Sequence, residues 1–117
     1  MLSFSTDCRY YLFSQPTDMR KGFNGLSGLI AHHTDFDLLN GDVFVFINKR
    51  QNCIKLLKWD VTGFALYYKR LEAGTFERPL FSSDNISQTL SWSSLVMLLE
   101  GIELKGVKRR KRYQNKG

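Results

Sequence analysis

Two cysteines, Cys8 and Cys53, are the only thiols in the 117 residues. That is too few for a disulfide scaffold, and their separation has no Cys-x-x-Cys character. No apolar run approaches the roughly 18–20 residues that a membrane span needs. The opening Met1-Leu2-Ser3-Phe4-Ser5 has neither the basic start nor the apolar stretch of a signal peptide. A Gly-rich phosphate loop and a nucleophile elbow are both missing. The two histidines are adjacent, His32-His33, whereas helical zinc ligands stand at i and i+4. These absences point to a cytoplasmic protein with no cofactor and no metal, and away from an enzyme.

What is present suits one folded unit. Apolar residues make up 43% of the chain and charged residues 24%, the balance of a globule rather than a disordered segment. Aromatic residues reach 14%, so even a modest core can bury a large area. Charge is unevenly placed. Residues 1–104 hold ten basic and eleven acidic side chains, while residues 105–117 hold seven basic and no acidic ones. The expected organisation is a single α+β domain over 1–104 and a basic tail over 105–117 that is disordered when alone, because like charges repel and Val107 and Tyr113 cannot anchor a core.

Residues 8–14 read as a first strand, bounded by Gln15-Pro16. Pro16 with Thr17 and Asp18 forms a helix-start signal, and Met19, Phe23, Leu26 and Ile30 then recur at helical spacing. The period changes at Gly41. Residues 42–48, 53–59 and 64–71 are rich in β-branched and aromatic side chains and are joined by polar turns, which predicts an antiparallel meander. A short fourth strand is expected over 75–78, where Pro79 stops it, and a loop over 82–89. Ser91 caps a C-terminal helix with Trp92, Leu95, Leu99 and Ile102 on one stripe and Gly101 at its stop. The predicted core contains Phe23, Leu26, Val45, Phe46, Leu56, Leu66 and Leu98. Val43, Val45 and Ile47 face one way and Phe44 and Phe46 the other, so the sheet must be covered twice, by its own helices or by a partner chain.

The candidate binding residues are cations. Lys105, Lys108, Arg109, Arg110, Lys111, Arg112 and Lys116 of the tail suit an arm lying along phosphates, or a solvated tail that keeps the protein soluble. Arg20 and Lys21 fall in the expected first turn of the first helix, where free N–H groups and two cations suit a phosphate; pairing with Asp18 is the alternative. Lys49 and Arg50 occupy a hairpin tip, with Lys55, Lys58, Lys69 and Arg70 on the neighbouring strands. Trp59, Tyr67 and Tyr68 lie among them as possible base-stacking surfaces, although aromatics at strand spacing also build cores. Gly22, Gly25 and Gly28 imply close packing of helix on sheet, or approach to a nucleic-acid backbone. Glu103-Leu104-Lys105 with Asp60 has the spacing of some metal nucleases, but it falls where a helix ends rather than on a central strand.

Several segments together resemble a known family. They are Thr17-Asp18-Met19-Arg20-Lys21-Gly22-Phe23-Asn24-Gly25-Leu26, Gly41-Asp42-Val43-Phe44-Val45-Phe46-Ile47-Asn48-Lys49-Arg50, Ile54-Lys55-Leu56-Leu57-Lys58-Trp59-Asp60, Tyr68-Lys69-Arg70-Leu71-Glu72-Ala73-Gly74-Thr75-Phe76 and Leu98-Leu99-Glu100-Gly101-Ile102. Their order and content are similar to the small accessory proteins encoded by the second open reading frame of bacterial insertion sequences of family sixty-six. The hairpin tip departs mildly, reading Asn48-Lys49-Arg50-Gln51-Asn52 where the family is often arginine-rich. The resemblance implies a role in DNA transposition beside a separate, larger transposase that carries the catalytic residues. Expected partners are therefore DNA, at transposon ends or non-specifically, the transposase of the same element, and a second copy of the chain, with no membrane. A protein-interaction adaptor that touches no DNA is the competing reading, and a nuclease a third.

Overall fold

The computed structural model describes residues 4–78 and 86–101, so the expectations for the tail, for Ile102 and for Glu103-Leu104-Lys105 lie outside the described residues. Strand β1, Tyr10–Phe13, leads through a turn into helix α1, Phe23–His33. Strands β2 (Val43–Ile47), β3 (Cys53–Asp60) and β4 (Gly63–Arg70) follow, then β5 (Ser87–Leu90) and helix α2 (Trp92–Glu100). The five strands form one sheet in the order β4-β3-β2-β1-β5.

The meander expectation holds for β2, β3 and β4, which pair antiparallel in sequence order. It fails for the sheet as a whole, which is mixed and has five strands. β1 runs parallel to β2, with Tyr10 opposite Val43 and Leu12 opposite Val45. The reason is the crossover: a single intervening helix carries the chain back to the end where β1 began. Ser87–Leu90, expected within a loop, is an antiparallel edge strand on β1. Residues 75–78 form no strand. Phe76 is instead fully buried, and its N–H donates to the Gln51 carbonyl at 2.6 Å.

Alternation then sorts the core into two layers. Val43, Val45, Ile54 and Leu56 meet Leu95 and Leu98 of α2 together with Phe76. On the other face, Phe13, Phe44, Phe46 and Leu57 meet Leu26 and Ile30 of α1. Each face is thus covered by a helix of the same chain, and no partner is needed over these positions. Five of the seven predicted core residues are buried. Phe23, at the first position of α1, is 48% exposed, and Leu66 is half-buried on the edge strand β4.

The caps explain the helix limits. The Ser91 hydroxyl accepts the Ser94 N–H, and Gly101 takes a left-handed conformation (φ 76°) that closes α2, as the sequence predicts. Helix α1 starts later than expected. Gly22, without a side-chain cap, precedes Phe23, so Arg20 and Lys21 lie before the helix rather than in its first turn. Close helix-on-sheet packing does not account for the glycines either. A Cβ on Gly22 or Gly28 would meet nothing within 4 Å, whereas one on Gly25 would sit 3.0 Å from Lys21 Cβ, so the lysine stem is what Gly25 admits.

The β3–β4 turn carries a strained residue. Val61 has φ 53° and is 85% exposed. A β-branched side chain in the left-handed region costs roughly 1–2 kcal/mol, and a two-residue hairpin loop with positive φ at its first position favours glycine there. Val61→Gly is therefore expected to stabilise the protein by about 1 kcal/mol, measured by urea unfolding with an unchanged m-value.

Candidate nucleic-acid interface

The connection from β1 to α1 is short, polar and heavily tied. Pro16 cannot continue a strand ladder, and the next residue, Thr17, is buried with its N–H donating to the Ile47 carbonyl at 2.9 Å. Asp18 has the chemistry of a helix cap but caps a turn instead: its Oδ1 accepts the Arg20 N–H at 2.9 Å. The Arg20 guanidinium folds onto the same carboxylate, at 2.7 Å from Nη2 and 3.0 Å from Nε. These bonds hold the Asp18 carboxyl at about 2, with the Lys21 charge adding a smaller pull. The Asp18 carboxylate therefore stays ionised across neutral pH, with Arg20 paired to it on the surface.

Beneath this turn stands Lys55. It projects from β3 toward the α1 side, is only 6% exposed, and donates from Nζ to the carbonyls of Met19 at 2.7 Å and Lys21 at 2.8 Å. The same ammonium lies 4.7 Å from the centroid of the Tyr68 ring. Sequence reasoning grouped Lys55 with the surface cations. The signal that it is interior was the run Cys53-Ile54-Lys55-Leu56-Leu57, whose other members are all buried.

The β2–β3 tip is equally well braced. Asn48 Oδ1 accepts the N–H groups of Asn52 and Cys53 at 3.1 and 3.0 Å, and its Nδ2 donates to Asn52 Oδ1 at 2.8 Å. Lys49 and Arg50 are left exposed at the apex. Because β1 and β2 are parallel, the segments leaving their C-terminal ends emerge on one rim of the sheet. Pro16, Thr17, Asp18 and Met19 from one segment, and Asn48, Lys49 and Arg50 from the other, line an open hollow of about 410 Å³. The structure thus brings the two folded candidate segments together. Lys49 and Arg50 border the hollow, while Arg20 and Lys21 follow Met19 in the chain and do not line it.

Other cations serve the fold. Arg9 pairs with the buried Asp42 at 3.0 Å. Lys69 turns to the opposite face of the sheet and donates to the Leu99 carbonyl at 2.8 Å, near the C-terminus of α2 where a cation is favoured. Arg78, which sequence reasoning did not single out, donates to the carbonyls of Ser14 and Ile47 at 2.6 and 3.0 Å, just past the ends of β1 and β2. Burial pushes its guanidinium below the usual arginine range. Arg70 meets Glu72 at 3.3 Å on the surface. Among the described residues, Lys21, Lys49 and Arg50 make no side-chain hydrogen bond or ion pair.

The aromatic candidates separate. Tyr67 packs in the α2-side core against Phe4, and Trp59 is half-buried edge-on to Phe64. Tyr68 alone is an exposed ring, at 52%. His32 and His33 both lie exposed at the end of α1, ring centroids 4.7 Å apart, and Asp60 ends β3 at the turn. No group of three or more His, Cys, Asp or Glu side chains that could hold a metal gathers among the described residues. No helix among them is long and apolar enough to cross a membrane.

Removing the Lys55 amine strands two carbonyls, a loss of about 1–3 kcal/mol for buried polar groups. Lys55→Met should lower stability by that order in denaturant unfolding. It should also speed amide hydrogen exchange at Thr17 and Lys21 more than in β2, if the lysine ties the turn to the sheet.

A family model described as IS66 Orf2 like protein matches residues 8–109. The chain is 33% identical over 110 residues to the uncharacterized protein y4jC of Sinorhizobium fredii, covering 94% of this chain and 92% of that protein. It is 31% identical over 103 residues to a second uncharacterized protein of that organism, y4hO, covering 88% of each. No solved structure matches. On the span of the family match and the near full-length relatives, the chain belongs to the IS66 Orf2-like family of transposition accessory proteins.

Proposed function

We propose that this protein assists transposition by binding DNA through phosphate contacts, without catalysis of its own, beside the transposase of the same element. The observation that carries the reading is how the positive charge is divided. Arg9, Arg20, Lys55, Lys69, Arg70 and Arg78 are bound to carboxylates or main-chain carbonyls of the fold. Lys49 and Arg50 at the hollow, and Lys21 two residues beyond its Met19 wall, have no such bonds among the described residues, and seven more cations follow in residues 105–117 without one acidic residue. Phosphates supply what these groups lack, and counterion release supplies the affinity. Contacts of this kind position DNA without reading bases, so recognition of transposon ends would need the transposase or a further contact.

An adaptor that joins transposase subunits and touches no DNA is the second reading, favoured by the same braced tip and turn acting as a protein-docking rim. A salt series on the purified protein separates the two. If five to seven tail cations meet phosphates, log K should fall with log[salt] at a slope of roughly −4 to −6 from the tail alone. Deleting residues 108–112 should flatten that slope by several units and weaken binding to all duplex sequences alike. Replacing Lys49 and Arg50 by Ala should remove a further unit or two. Binding to transposase with no DNA affinity even at low salt would favour the adaptor.

Asp18 supplies a sharper check. Among the described residues it is the one carboxylate lining the hollow, and it pairs with Arg20. Asp18→Asn keeps an acceptor for the Arg20 N–H but releases the guanidinium and removes a negative charge. Binding to duplex DNA should tighten several-fold and its salt slope steepen by about one unit. An unchanged slope would count against the hollow as a DNA contact.

A further inference from the structure

The exposed ring of Tyr68 has surroundings that phosphate contacts alone do not explain. It stands on an eight-residue strand, at a position facing the same side as Lys55, its partner across β3–β4. Its hydroxyl donates to the Cys53 sulfur at 3.6 Å, and the Lys55 ammonium lies 4.7 Å from its centroid. Lys55 is itself fixed by two carbonyls, so the ring is held at its tip and against a buried cation while half of it stays in water. A ring oriented in advance loses little rotamer entropy when something stacks on it.

Its nearest charged neighbour is the Lys55 ammonium, and Arg70 and Glu72 flank it at the strand end. Lys55 bridges the ring to the main-chain carbonyls of Met19 and Lys21, and Met19 in turn lines the hollow bordered by Lys49 and Arg50. On its other side Tyr68, Arg70 and Glu72 line a second open hollow of about 270 Å³. The Arg70 guanidinium there meets Glu72 at 3.3 Å. The end of β4 is tied to the basic tip as well, since the Leu71 N–H donates to the Asn52 carbonyl at 2.8 Å. A stacking ring therefore stands over a buried cation, on a strand whose end is tied to the basic tip.

We propose that this rim seats an unpaired DNA base on Tyr68, with its flanking phosphates toward Lys21, Lys49 and Arg50. The proposal rests on the DNA-binding reading above and narrows it to single-stranded or locally opened DNA. In a duplex the base faces are covered by their neighbours, so Tyr68 has nothing to stack on and only the phosphate contacts remain. A single strand offers both, and base–aromatic stacking of this sort is tolerant of sequence.

The test uses the full chain and two fluorescent probes, a short oligothymidylate and a duplex of equal length. Anisotropy titrations would compare wild type, Tyr68→Phe and Tyr68→Leu. Stacking predicts that Tyr68→Leu weakens single-strand binding about 5- to 100-fold with the salt slope unchanged, that Tyr68→Phe stays near wild type, and that duplex binding is insensitive to both. Photocross-linking of an iodouridine-substituted strand to the wild-type protein gives a readout independent of variant folding, and should map to the peptide holding Tyr68. Duplex and single-strand affinities falling together in Tyr68→Leu, no loss on either probe, or cross-links confined to residues 105–117 would overturn the seat while leaving phosphate binding intact. Wild-type protein that binds neither probe at low salt would overturn both readings and leave the rim to an acidic protein segment.

Discussion

Lys55 projects from a strand whose neighbouring residues are buried, and an ammonium taken out of water must find acceptors. It finds them in the main-chain carbonyls of Met19 and Lys21, not in a carboxylate. That choice has consequences along the chain. It draws the β1–α1 connection down onto the sheet, where Thr17 bonds to the end of β2, and it sets where α1 can begin. It supports the Tyr68 ring from beneath. Because the bonds go to carbonyls, the Lys55 charge has no carboxylate bonded to it among the described residues.

The same device recurs. Arg78 satisfies carbonyls beyond β1 and β2, and Lys69 satisfies one near the end of α2. Strand and helix ends leave acceptor capacity beyond the ladder, and a long cationic side chain can reach it, at Ser14 and, beside the Thr17 N–H, at Ile47. A sheet covered on both faces has few solvent-exposed ends, so these ties are concentrated at its rim. Basic residues in the folded part are thereby divided by task, and only those beyond the reach of an acceptor stay available to an outside anion.

Local chemistry was legible in the sequence, and long-range pairing was not. Ser91 and Gly101 announce α2 because a cap is decided within four residues, and β2 to β4 follow from alternation and from short polar turns. The parallel partnership of β1 with β2 leaves no local mark, since it depends on where a helix returns the chain. Ser87–Leu90 is a strand because β1 offers it an open edge, which its polar composition cannot reveal. Thr17-Asp18 carried a true capping signal that a turn used before the helix could. At the candidate site, Lys49 and Arg50 were legible as tip cations, while Lys55 and Arg78 were hidden because their roles are defined by acceptors more than thirty positions away.

The position of the rim follows from topology rather than from any motif. Two parallel neighbours end at the same edge, so the segments leaving them must open side by side, and in open sheets with parallel strands ligands commonly bind beyond those carboxyl ends. Here one of the two segments is a braced hairpin tip and the other a turn pinned by a buried lysine. Neither needs to reorganise to present its cations. Had β1 joined the meander as an antiparallel neighbour, residues 16–21 and 48–50 would have left opposite ends of the sheet. Lys21 would then have been separated from Lys49 and Arg50 by the length of a strand, about 17–20 Å. The parallel crossover is thus what turns scattered basic residues into one surface.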